Sequence, residues 1–102
     1  LAAPVLAHHG WGSYDAQNPV TIEGIVKRVE YANPHVHLDV AAGDKHWEAT
    51  LAPPFRMDAR GIGRGGLHVD MAVRLYGYPS RQNPGEMRAE WIEIAGKRTE
   101  LR

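Results

Sequence analysis

The run from Val20 to Tyr31 constrains the fold more than any other segment. Its apolar positions alternate as Val20, Ile22, Gly24 and Val26 and then change parity to Val29 and Tyr31. Successive side chains of a strand point to opposite faces, so both sets can share one face only if the strand carries a bulge or sharp coil, here near Gly24 to Lys27. A strand that long and bent wraps around a core instead of lying flat.

The rest of the chain supplies matching partners. Asn33-Pro34 breaks the first strand, and Val36, Leu38 and Val40 form the inward side of a second. Gly43-Asp44 reads as a two-residue hairpin loop into a third strand with Trp47, Ala49 and Leu51 inward. Pro53-Pro54 ends that strand and starts a short helix running to about Arg60, closed by Gly61. Met71, Val73 and Leu75 mark a fourth strand, ended by Gly77-Tyr78-Pro79-Ser80. Met87, Ala89 and Trp91 begin a fifth, with a second parity switch to Ile92 and Ile94. An all-β chain of five strands with one helix between the third and fourth matches an OB-fold, a small Greek-key barrel. The expected core comprises Ile22, Val36, Leu38, Trp47, Leu51, Val73, Leu75 and Ile94. An open β-sandwich is the competing arrangement.

At 102 residues the chain holds one core. Its 12 basic and 12 acidic side chains balance, which argues against a phosphate-tracking surface and a nucleic-acid partner. Without cysteine there is no disulfide framework or thiolate nucleophile, and any metal must be held by His, Met or carboxylate. No apolar run is long enough to span a bilayer.

Leu1 to Ala7 reads as the tail of a secretory signal peptide, leaving residues 8–102 as one barrel domain that is periplasmic or secreted. Cleavage after Ala7 would make His8 the first residue, offering a metal its imidazole and its α-amino nitrogen, with His9 next to it. In Asn33-Pro34-His35-Val36-His37-Leu38-Asp39 the strand period turns His35, His37 and Asp39 away from the core. Residues at i and i+2 lie about 7 Å apart, so both imidazole tips can converge on one ion. The hairpin register sets Asp39 opposite Glu48, and directly opposed carboxylates need a positive partner: a bound cation, Lys27, Arg28 or a protonated His.

Other motifs carry less. Gly61-Ile-Gly-Arg-Gly-Gly66 follows a helix and leads to a strand, the reverse of a phosphate-binding loop, and reads as a connector. Ser13 and Ser80 sit in turn-like contexts without a nucleophile elbow. Met57, Met71 and Met87 with Trp47 and Trp91 read as core filling, although methionine, histidine and tryptophan are also the residue set of OB-fold periplasmic copper chaperones.

His8-His9-Gly10-Trp11, Tyr31-Ala32-Asn33-Pro34-His35, Leu51-Ala52-Pro53-Pro54 with Arg56-Met57, and Gly77-Tyr78-Pro79-Ser80 with Met87-Arg88-Ala89 together resemble a family of small exported bacterial domains of unknown function. In that family the paired His after the signal peptide and the Asn-Pro-His segment recur; they fall here on His8, His9 and His35. The resemblance implies export and a compact β fold but no activity. The glycine-rich Gly61 to Gly66 departs from its pattern.

Two readings follow. One is a periplasmic metal-binding or metal-delivery protein, copper foremost, with His8, His9, His35 and His37 as ligands, because imidazole and amine nitrogens suit Cu(II). The other is a non-enzymatic accessory or structural subunit docking on a larger periplasmic assembly through a barrel edge or the aromatics Trp11, Tyr14, Tyr76 and Tyr78. A copper-dependent oxidase built on an N-terminal His is an enzymatic variant of the first and would need an open substrate surface.

Overall fold

A computed structural model describes residues 11–102. In chain order the strands are β1 (Val20–Glu30), β2 (His37–Ala42), β3 (Lys45–Thr50), β4 (Ala72–Pro79), β5 (Glu86–Ile94) and β6 (Lys97–Glu100), with helix α1 (Pro54–Ala59) between β3 and β4. Short 3-10 turns cover Trp11–Ser13 and Arg64–Gly66.

The parity switch in β1 is a bulge. Its register with β2 slips between Val26 and Arg28, so Lys27 is the extra residue and falls inside the expected window. Ile22 and Val26 are buried before the slip, and Val29 and Tyr31 pack on the same core after it. β1 therefore pairs with both β4 and β2. The strand order β3-β2-β1-β4-β5 is closed by parallel pairing of β3 with β5, giving the five-stranded OB-like barrel and not the open sandwich.

The β2–β3 hairpin has the register the alternation implies. Val40 faces Trp47, Leu38 faces Ala49, and Asp39 faces Glu48. Gly43 takes φ +65° in the two-residue loop, a conformation that favours glycine. Ile22, Val36, Leu38, Trp47, Leu51, Val73 and Leu75 are buried; Ile94 is only partly buried against them. α1 starts with Pro54 in its first turn and ends before Gly61 at φ +90°, and its Met57 is fully buried. Tyr31 ties the end of β1 to the segment after α1, its hydroxyl donating to the Ile62 carbonyl at 2.9 Å.

Two features differ from expectation. Trp91 does not point inward: β5 slips against β4 at Tyr76–Gly77, which leaves Met87, Ala89 and Ile92 buried and sets Trp91 on the outer face, stacked on Tyr76 at 5.5 Å. β6 is not legible in the sequence, because Lys97-Arg98-Thr99-Glu100 has no apolar alternation. It pairs with the second half of β5, beyond the residues that meet β3.

At the β4–β5 slip a side chain on Gly77 would lie far inside contact distance of the Arg88 carbonyl oxygen and 2.8 Å from Ala89 Cα. Gly77→Ala is therefore expected to destabilise by about 1 to 3 kcal/mol, as overpacking does when backbone must shift. Chemical denaturation checks this; an unchanged midpoint would contradict so close a strand crossing.

Candidate functional site

The outer faces of β2, β3 and β5 form one surface with two rows of side chains. The register aligns His37 with Thr50 and Thr50 with Arg88, while two residues along, Asp39 aligns with Glu48 and Glu48 with Glu86. His35 sits just before β2, held because Val36 donates to the Ala52 carbonyl at 3.0 Å and accepts from the Leu51 amide at 2.8 Å. Together Tyr14, Pro34, His35, His37, Glu48, Thr50, Glu86 and Arg88 line a cavity of about 230 Å³.

Each imidazole has a neighbour that fixes it. The His37 Nδ1 lies 3.3 Å from the Thr50 hydroxyl; when that hydroxyl accepts, the lone pair of the imidazole is on Nε2. The His35 Nε2 lies 3.5 Å from the Arg88 guanidinium and acts as the acceptor there, because arginine only donates. Arg88 is half-buried, and burial, reinforced by Arg102 and Arg56, lowers its pKa despite an opposing contribution from Tyr14. Asp39 is committed to Arg28, whose Nε is 2.9 Å away, and another Arg28 nitrogen reaches Glu48 at 3.8 Å. Asp39 holds the Arg28 pKa up by the same contact. Arg28, one of the positive partners considered for the opposed carboxylates, is in place beside both.

The site residues expected from sequence divide two ways. His35 and His37 share the cavity. His8 and His9 lie outside the described residues. Among the described residues no three His, Cys, Asp or Glu side chains converge closely enough to hold a metal. Of the other histidines, His46 is exposed opposite Ala41, and the His68 Nδ1 lies 3.3 Å from the Val69 carbonyl in the glycine-rich connector. Thr50 follows from the hairpin count that places Asp39 opposite Glu48. Tyr14, Glu86 and Arg88 come from barrel closure and the N-terminal turn, which no local pattern carries.

Next to the cavity runs a ladder of half-buried aromatic rings. Trp11 meets Tyr14 at 6.3 Å and Tyr78 at 5.9 Å edge-on, Tyr78 meets Tyr76 at 6.0 Å, and Tyr76 stacks on Trp91. Arg88 and Arg102 lie 4.1 and 4.4 Å from the Trp11 ring centre, and Arg98 lies 4.5 Å from that of Trp91. The Tyr78 hydroxyl donates to Glu90 at 2.8 Å. That bond, with burial and the Glu90 charge, pushes the Tyr78 pKa up to about 12. A phenol whose folded pKa is raised contributes stability that is fully present below its unfolded value near 10 and is lost as pH rises through about 12. Spectrophotometric titration should show a phenol ionising near pH 12 that disappears in Tyr78→Phe; an unchanged titration curve would contradict this.

No helix among the described residues is long and apolar enough to cross a membrane. No curated protein matches the chain. Solved structures do. The complex of TiaS with an isoleucine tRNA and ATP matches with a TM-score of 0.60 at 18% identity, over 87% of this chain and 20% of that one. The ZRD-deleted mutant of TiaS in complex with agmatine matches with a TM-score of 0.58 at 18% identity, over 86% of this chain and 25% of that one. The chain thus spans a fifth to a quarter of those proteins, and at that identity the likeness is one of fold. The sequence itself matches the model of a family of unknown function over residues 1–88, and the chain belongs to that family, DUF6152.

Proposed function

We propose that this chain is a metal-binding or metal-delivery protein of the periplasm or exterior, with copper as its ion and His35 and His37 as nitrogen donors. The observation that supports the reading is the shared cavity, where two imidazoles stand with the carboxylates of Glu48 and Glu86. Imidazole suits Cu(II), and anionic side chains offset the charge of an entering ion. Thr50 supplies the outer partner that orients a ligating imidazole. Arg88 opposes a cation and engages the His35 Nε2 lone pair, so His35 ligates only when that contact is given up, and the ion must enter on the carboxylate side of the guanidinium.

Two imidazoles alone hold Cu(II) incompletely. Of the four other histidines, His46 lies four residues along β3 from Thr50, the partner of His37, and His68 lies in the connector before β4; under this reading His8 and His9 are the remaining donors. Trp11 shares the Arg88 guanidinium with His35, and His8 precedes Trp11 by three residues in the sequence. The ring and terminal amine of His8 are therefore taken as the further donors. Calorimetric copper titration tests this with the chain beginning at His8 and with the same chain carrying extra preceding residues. The free His8 terminus should bind at least about tenfold more tightly, since a chelating amine is lost in the longer form. Equal affinities would exclude the amine as a ligand.

The aromatic ladder favours a second reading, an accessory subunit that docks on a larger periplasmic assembly through this face. Tyr, Trp and Arg are the residues enriched in interface centres. Under it, Trp91→Ala abolishes association with the assembly while leaving copper affinity unchanged, which pull-down and titration check together.

A further inference from the structure

We propose that the cavity on the β2–β3–β5 face binds a small zwitterion, its carboxylate on Arg88 and its ammonium between Glu48 and Glu86. The ligand occupies the same cavity as the proposed metal and does not require the ion.

The cavity is charged oppositely at its two ends, and the pairing register makes it so. Thr50 and Arg88 are neighbours across β3 and β5, as are Glu48 and Glu86, and the two rows are two residues apart along parallel strands. That spacing is about 7 Å. At the basic end Arg88 is held between the Trp11 ring at 4.1 Å and the His35 Nε2 at 3.5 Å, and Arg102 lies on the same indole. A guanidinium held in place has little ordering left to do when a carboxylate approaches it. At the acidic end Glu48 and Glu86 stand side by side, with Arg28 3.8 Å from Glu48 and the Asn83 side-chain amide donating to Glu86 at 3.4 Å. A pure anion entering here meets two carboxylates, and a pure amine meets the guanidinium. A ligand with both charges spaced to match satisfies each end.

Size narrows the class further. A volume of about 230 Å³ lies below the roughly 300 to 1,000 Å³ of pockets that take drug-sized ligands. The fitting class is an ω-amino acid, or another small molecule whose amine and carboxylate are about 5 to 7 Å apart. Thr50, beside Arg88, and Tyr14 add hydroxyls to the lining.

The test is calorimetry on metal-free protein with γ-aminobutyrate and δ-aminovalerate as probes and butyrate and butylamine as single-charge controls. At least one amino acid should bind about tenfold or more tightly than either control. Arg88→Gln should reduce that binding at least about tenfold while raising copper affinity, because one change removes an anion partner and a cation's repulsion together. The exposed Arg81→Gln should change neither. Glu48→Gln with Glu86→Gln provides a second disrupted cavity should Arg88→Gln fail to fold. Butyrate binding as well as the amino acids, butylamine doing so, or no probe binding would each overturn the inference. Copper binding without amino-acid binding overturns this inference alone, and amino-acid binding without copper binding overturns the metal reading alone.

Discussion

Replacing Leu38 by Ala is expected to lower the unfolding free energy by about 2 to 5 kcal/mol, the range for truncating a core leucine whose cavity cannot collapse. Leu38 is fully buried near the start of β2, between Val29 on β1 and Ala49 on β3. The neighbour opposite on β3 is an alanine, with no side chain long enough to fold into the vacated space. Against a typical total stability of about 5 to 15 kcal/mol, this is a large fraction. Urea denaturation followed by tryptophan fluorescence measures it. A loss below about 1 kcal/mol would mean that Leu38 does not face the core, and with it His37 and Asp39 would lose their outward placement, since a one-residue slip turns every side chain over.

The barrel is legible in the sequence because its determinants are local. Val36, Leu38 and Val40 alternate over a short run, Gly43-Asp44 limits the hairpin to two residues, and the parity change around Lys27 leaves a bulged strand as the way to bury both halves of β1. Trp91 defeats the same kind of reading that succeeds in β1. A second bulge falls there, and one slipped residue decides which of Trp91 and Ile92 faces inward. The size and apolarity of the indole suggest burial, but stacking on Tyr76 and contact with Arg98 cover it on the outer face instead. β6 carries charge where a pattern would be needed, and it is held by backbone pairing to β5.

The site is legible only along single strands. Period-two alternation puts His35 and His37 on one face, and the hairpin loop puts Asp39 against Glu48. What stands beside those residues depends on the parallel contact of β3 with β5, between segments separated in the chain by α1 and β4. That contact brings in Glu86 and Arg88, and it changes the electrostatics from a row of imidazoles into a cavity with a guanidinium at one end and carboxylates at the other. The opposed Asp39 and Glu48, which would have accommodated a cation, are bridged by Arg28.

The central claim is that His35 and His37 hold the metal. Calorimetric copper titration of the chain beginning at His8 measures it most directly when His35→Ala with His37→Ala is compared with His46→Ala with His68→Ala. Each pair removes two of the six histidines, so nonspecific imidazole binding falls equally in both. Ligand loss costs more than loss of an outer-shell partner, which by itself weakens metal binding about 10- to 100-fold. The His35/His37 pair should therefore weaken copper binding at least about a hundredfold, and the His46/His68 pair should leave it within about twofold of the unsubstituted chain. Equal weakening by the two pairs, or undiminished binding without His35 and His37, would contradict a metal site in this cavity.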